Sequence, residues 1–187
     1  MITYSGKEFD PEDPRPDQID LLDIAVGLSR VNRFVGHTAF PFSVAQHSFL
    51  VSSLVDALDF PEHPGIKMLT RYRLLGLLHD ADEAYTSDIP SPVKSMLKPS
   101  IVEVEGRIMD AIYYKSGIAP PTSPELIYIK TLDVQALSIE HINLREAAFV
   151  DITKPFRDSQ FVPLDCNLVA LTFMREFKIL LEKYNEL

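Results

Sequence analysis

The sequence predicts an all-α protein, a bundle of six or seven helices with a short extended arm at the N-terminus and almost no strand. Three observations carry this expectation. Apolar residues recur at spacings of three and four over most of the chain, the period of a helix with one buried face. Cap signals stand at the ends of those stripes. Leu74, Leu75, Leu77 and Leu78 surround Gly76 with no polar residue between them, as in an element buried on every side.

The elements follow in chain order. Ile2, Tyr4 and Phe9 alternate around Ser5-Gly6, a hairpin or extended arm, and Pro11, Pro14 and Pro16 then impose an irregular acidic lead-in. Asp20 can cap a helix whose apolar face is Leu21, Ile24, Ala25 and Leu28, ending near Ser29-Arg30. Ser43-Val44-Ala45-Gln46 is a capping box, in which hydroxyl and amide exchange bonds with orphan backbone N–H groups. The helix it opens carries His47, Leu50, Val51, Leu54 and Leu58 on one face. Pro61–Gly65 breaks the chain, and the next helix runs from near Lys67 into His79-Asp80.

Two prolines in Ile89-Pro90-Ser91-Pro92-Val93-Lys94 push their predecessors towards extended geometry, so this stretch is expected as a rigid loop that returns Lys94 to the acidic cluster. Ser100–Lys115 follows as a helix with Ile101, Val104, Ile108, Ala111 and Ile112 inward, stopped by Gly117. Ser123-Pro124-Glu125 starts another, with Leu126, Ile129, Asp133, Ala136 and Leu137 inward, continuing through Glu140, Asn143 and Leu144 towards Phe149. Lys154-Pro155-Phe156 marks a loop. Asp165 caps a last helix with Leu168, Leu171, Met174, Phe177, Leu181 and Tyr184 inward.

With 187 residues, 46% of them hydrophobic and 24% charged, the chain has the composition of a globular protein with a sizeable core. No repeat, low-complexity run or linker divides it, so residues 1–187 are expected as one domain. The start Met-Ile-Thr-Tyr-Ser-Gly-Lys-Glu has no secretory pattern, no apolar run approaches a bilayer span, and Cys166 is the only cysteine. A cytoplasmic setting is the expectation, with no membrane partner. The net charge of −9 argues against long nucleic acid, which needs a basic face, but not against a small phosphorylated substrate held by local cations.

Four residues break the apolar pattern. His47 heads an inward stripe, His79 and Asp80 end the buried leucine run, and Asp133 falls mid-stripe. An unpaired carboxylate in a dry site costs several kcal/mol, and a divalent cation is a usual compensation. Facing helices build metal sites in this way. Two imidazoles and two carboxylates suit Mn²⁺, Co²⁺, Zn²⁺, Ni²⁺ or Fe²⁺ and leave positions open for water and a phosphate oxygen, which points to hydrolysis by a metal-activated water.

His47, then His79-Asp80, then Asp133 resembles the H…HD…D signature of the HD-domain phosphohydrolases. Ser43-Val44-Ala45-Gln46-His47, His79-Asp80-Ala81-Asp82-Glu83-Ala84 and Asp88-Ile89-Pro90-Ser91-Pro92-Val93-Lys94 resemble the bacterial and phage 5′-deoxynucleotidase-like branch. Asn32-Arg33-Phe34 is similar to that branch's N-R-W, with phenylalanine for tryptophan. The resemblance spans about residues 20–145 and implies an HD-domain helical bundle. It also implies His47, His79, Asp80 and Asp133 as metal ligands and Glu83 as the group that orients or activates water. Asp88 would be a second acid–base group, Arg33 and Lys94 would hold phosphate (Arg33 in a bidentate contact), and Phe34 would pack by the sugar or base.

The substrate implied is a nucleotide, either a deoxynucleoside monophosphate or a dNTP such as dATP. A triphosphate would bring a further Mg²⁺ or Co²⁺, with Lys94, Lys98, Arg30 and Arg33 available to cradle it. A homo-oligomer, dimer or hexamer, is also implied, in a bacterial cytoplasm or that of a phage host. His37 and His63 match no ligand position and read as loop or surface residues. His141 reads as structural, with a substrate role open. Two other classes are carried: an HD-scaffold iron oxygenase holding two irons, and a non-catalytic nucleotide-binding HD protein.

Overall fold

The computed structural model describes residues 1–60, 64–145 and 161–186. Among them are eight α-helical segments and no strand longer than an isolated bridge: α1 (Leu21–Arg30), α2 (Val44–Ser53), α3 (Ile66–Leu78), the single turn α4 (Glu83–Thr86), α5 (Ser91–Leu97), α6 (Ser100–Ser116), α7 (Ser123–Glu140) and α8 (Cys166–Glu186). The all-α bundle expected from the sequence is what the chain adopts. α8 lies across α1 and α3, α2 packs along α3, and α7 closes the bundle against both α2 and α3.

The N-terminal arm is a small hairpin, with Ile2 and Glu8 in an antiparallel bridge around a turn in which Gly6 holds φ 85°. Asp23 on α1 accepts from the Ser5 backbone N–H (2.6 Å) and hydroxyl (2.8 Å), and the fully buried Phe9 stacks on Tyr85. The caps act as their residues predict. Asp20 accepts from Leu22 N–H, Ser43 and Gln46 form the capping box, and Gly117 ends α6 in the left-handed region. Leu74, Leu75, Leu77 and Leu78 are all buried, as an apolar run without polar interruption requires.

Two close approaches set helix spacing. A Cβ on Gly76 of α3 would stand 3.2 Å from the Ser52 Cα of α2, and one on Gly27 of α1 would stand 2.9 Å from the Ala84 Cβ of α4. Glycine therefore lets α2 meet the His79 end of α3, and lets α1 support the turn that carries Glu83.

Several side chains differ from the sequence expectation. α2 stops at Ser53, so Leu58 falls in a 3₁₀ turn and is exposed. Ser91-Pro92 is helical, because a proline in the first turn has no bond to lose and its φ suits the helix. The cap of α7 is Thr122, not Ser123, and its box partner is Glu125. On α7, Leu126 and Leu137 are exposed and Leu132 takes the core place. On α8, Leu168 and Leu171 face out while Val169, Ala170, Phe173, Phe177 and Leu180 face in: two apolar stripes lie side by side, and packing on α1 and α3 selects one. α7 gives way after Glu140 to a π turn over His141–Arg145. The expectations for His63, Phe149 and Lys154-Pro155-Phe156 lie outside the described residues.

Candidate metal centre

The capping box at Ser43 fixes the start of α2 and thereby places His47 one turn in, fully buried, with its ring towards the ends of α3 and α7. Its Nδ1 donates to Glu140 Oε1 (2.6 Å). His79, the residue that ends α3, donates from Nδ1 to the Gly76 carbonyl (2.9 Å), which can only accept. The two Nε2 atoms face each other at 3.2 Å.

Carboxylates complete the ring. Asp80 Oδ2 lies 3.1 Å from His79 Nε2 and 3.6 Å from His47 Nε2; Asp133 Oδ1 lies 3.2 Å from His47 Nε2 and 4.0 Å from His79 Nε2. Two ligands on one transition-metal ion, each at about 2.1 Å, stand about 3.0–3.4 Å apart when adjacent and at most about 4.2 Å when opposite. Every one of these separations falls within that limit. His47, His79 and Asp80 form a group with ligand atoms within 4.8 Å of one another; Asp133, on α7, stands outside that group beside His47, with its Oδ2 paired to Lys130 (2.5 Å). The donor set fits a divalent ion, since facing imine lone pairs repel unless a cation or proton lies between them.

The electrostatics describe the same centre. Burial pulls the His47 imidazole down, but hydrogen bonds to Asp133 and Glu140 lift it to about 9. Burial pushes the Asp80 carboxyl up, yet His79, His47 and Arg33 outweigh it and hold it below the usual carboxylate range. Asp133 is likewise held low against burial, by its bond to His47 and by His79 and Lys130. Glu83, next along the chain, behaves oppositely. It is 7% exposed, its Oε2 has no hydrogen-bond partner, and burial with Asp80, Asp88 and Asp82 pushes it to about 10.

The ring opens on a cavity of about 570 Å³. Glu83 and Asp88 line it beside Asp80 and Asp133; Phe34, His37, Pro90, Leu137 and His141 form its outer wall. Its rim is strained on both sides: Phe34 and Val35 hold φ of 56° and 54°, and Ser87, just before Asp88, holds 70°. Such conformations cost about 1–3 kcal/mol each and cluster at functional sites. Burial pushes Asp88 up, against Arg33 and the Phe34 backbone N–H, which hold it down. His141 meets Phe34 edge to face at 5.4 Å between centroids and borders the cavity, as does His37, which is exposed as a loop residue should be.

The expected cations are present with altered partners. Arg33 is buried, and its Nε (3.2 Å) and Nη2 (3.0 Å) donate to Glu140 Oε2. Glu140 thus occupies the Nε side of the Arg33 fork, while Nη1 stands 3.9 Å from Asp80 and 4.0 Å from Asp88. Lys94 lines the cavity but pairs with Glu105 (2.7 Å). Sequence reasoning assigned no role to Lys130, which also lines the cavity, or to Glu140. Glu140 stands seven residues, two helical turns, beyond Asp133, and that spacing was the available signal.

A model of the HD domain matches residues 30–126, a span that holds every residue of this centre except Lys130, Asp133, Leu137, Glu140 and His141. The uncharacterized protein YfdR of Escherichia coli K12 is 32% identical over 99% of this chain and 93% of its own length. An uncharacterized protein of Rhodobacter capsulatus is 37% identical over 73% of this chain and 68% of its own length. Among the described residues, no helix is long and apolar enough to cross a membrane.

Proposed function

The chain belongs to the HD-domain family, a superfamily of metal-dependent phosphohydrolases, and from that premise we propose that it hydrolyses deoxynucleotides, as its 5′-deoxynucleotidase-like motifs imply. The observation that carries this reading is the pair of imidazole Nε2 atoms at 3.2 Å, flanked by Asp80 and Asp133, which line a cavity with cations on its wall. His47, His79, Asp80 and Asp133 would hold one divalent ion. When bound, such an ion activates water and offsets phosphoryl charge.

The remaining work belongs to side chains. Glu83, with one buried oxygen unpartnered, accepts the proton of the attacking water. Asp88, beside it on the cavity wall, serves the leaving oxygen. Arg33 Nη1 and Lys94 hold phosphate, Lys94 exchanging Glu105 for substrate, and Phe34 packs by the sugar or base. Both a monophosphate and a triphosphate can be met by this arrangement, since metal and water serve either bond.

A panel of deoxy- and ribonucleoside mono- and triphosphates with Mn²⁺ or Co²⁺ tests the reading, with products resolved as phosphate or triphosphate. Phosphate from dNMPs identifies a nucleotidase, and triphosphate from dATP identifies a triphosphohydrolase. His79→Ala and Asp80→Ala should each lose the ion and all turnover, because either breaks the coordination shell. No product across the panel with metal bound, or full metal occupancy in both variants, would overturn it.

A further inference from the structure

Glu140 is the one fully buried carboxylate among the described residues, and none of the chemistry above uses it. It ends α7 and faces two elements distant in sequence, His47 on α2 through Oε1 and Arg33 in the loop before α2 through Oε2. We propose that Glu140 is a positioning residue, whose carboxylate locks His47 in the tautomer that offers Nε2 to a metal ion while it anchors Arg33 at the cavity wall. This rests on the reading that His47 holds the ion.

The lock follows from donor and acceptor inventory. Arg33 has donors only, so the atom facing its Nε and Nη2 must accept. His47 Nδ1 can donate or accept, depending on where the ring carries its proton. A carboxylate accepts at both ends, which satisfies Arg33 and at the same time forces the proton onto Nδ1. The lone pair is then left on Nε2, where Asp80, Asp133 and His79 converge. Histidines that bind metals are commonly oriented by such a partner on the far nitrogen.

An amide of the same shape cannot do this. In Glu140→Gln the oxygen must turn to Arg33, which places the NH2 against His47 Nδ1. That nitrogen must then carry the lone pair, and the ring proton moves to Nε2, inside the metal ring. Packing is unchanged and the site is blocked.

The test measures Zn²⁺ affinity by competition with a chromophoric chelator, without substrate. Glu140→Gln should bind about 10–100-fold more weakly than wild type, the scale of lost second-sphere support. Adding Arg33→Met removes the donors that dictate the amide's orientation, so the double variant should recover most of the lost affinity. Purely structural damage would instead accumulate. Wild-type affinity in Glu140→Gln, or a double variant no tighter than the single one, would overturn the proposal. Should the double variant fail to fold, ¹H–¹⁵N correlation of the histidine rings in the Zn²⁺-loaded wild type decides, with a proton on His47 Nδ1 expected and one on Nε2 fatal. Normal Zn²⁺ binding without nucleotide hydrolysis would remove the substrate reading and leave this one standing. A wild type that binds no Zn²⁺ would remove both.

Discussion

Glu83 is costly for folding, and the proposed function gives that cost a use. A buried carboxyl with one unpaired oxygen is uncharged in the metal-free protein, because burial and the neighbouring Asp80, Asp88 and Asp82 oppose its ionisation. On the proposed reading, a cation at the histidines would oppose those charges and let Glu83 ionise and act as the base. Glu83→Gln keeps the shape and the uncharged state, so the ion should stay while turnover falls by about 10²–10⁴-fold. Elemental analysis and kcat at saturating metal check both halves. Near-wild-type turnover would mean that the water is activated by another group.

At the scale of elements, two glycines hold the chemistry in register. Gly76 brings α3 within 3.2 Å of the α2 backbone at Ser52, and these two helices carry His79 and His47. Gly76→Ala must part them by a few tenths of an ångström, so it should cost about 1–3 kcal/mol of stability and weaken metal binding. Gly27→Ala acts on the other side, where its Cβ would meet Ala84 at 2.9 Å and push α4 with Glu83. That variant should lose kcat while its metal affinity stays near wild type. Thermal melts, chelator competition and steady-state kinetics on the pair read out the contrast. Equal loss of metal affinity in both would show that the two helix contacts are not separable.

For the whole molecule, the centre links stability to pH and to metal. In the metal-free fold His47 sits at about 9 against 6.5 when unfolded, burial being outweighed by its bonds to Asp133 and Glu140. A raised value means that the proton stabilises the fold; the contribution is complete below about 6.5 and is lost as pH rises through about 9. Glu83 acts with the same sign. Burial and Asp80 raise it from 4.5 to about 10, so the unfolded carboxyl ionises first and stability declines across that window. The metal-free melting temperature should therefore fall between pH 6 and 9. Metal binding releases the competing protons and strengthens in the same direction, and an ion at about 100 times its Kd adds about 2.7 kcal/mol. Melts in chelator and in excess Mn²⁺ should diverge as pH rises. A metal-free melting temperature that climbs over this range would contradict the electrostatics of the centre.

The amino-acid sequence by itself determined α1, α2, α3, α6, α7 and α8, the caps at Asp20, Ser43 and Gly117, and the four polar exceptions His47, His79, Asp80 and Asp133. Caps and periodicity are satisfied within about four residues, through bonds a local reading can count. Tertiary structure decided what depends on distant partners. It chose Val169 and Phe173 over Leu168 and Leu171 as the buried stripe of α8, since two adjacent apolar stripes are equivalent until α1 and α3 cover one. It gave the fork of Arg33 a partner in Glu140, 107 residues away, and set that same carboxylate on His47, 93 residues away. Arginine donors and carboxylate oxygens bond any suitable partner within reach, and reach across the bundle is settled only when the helices have packed.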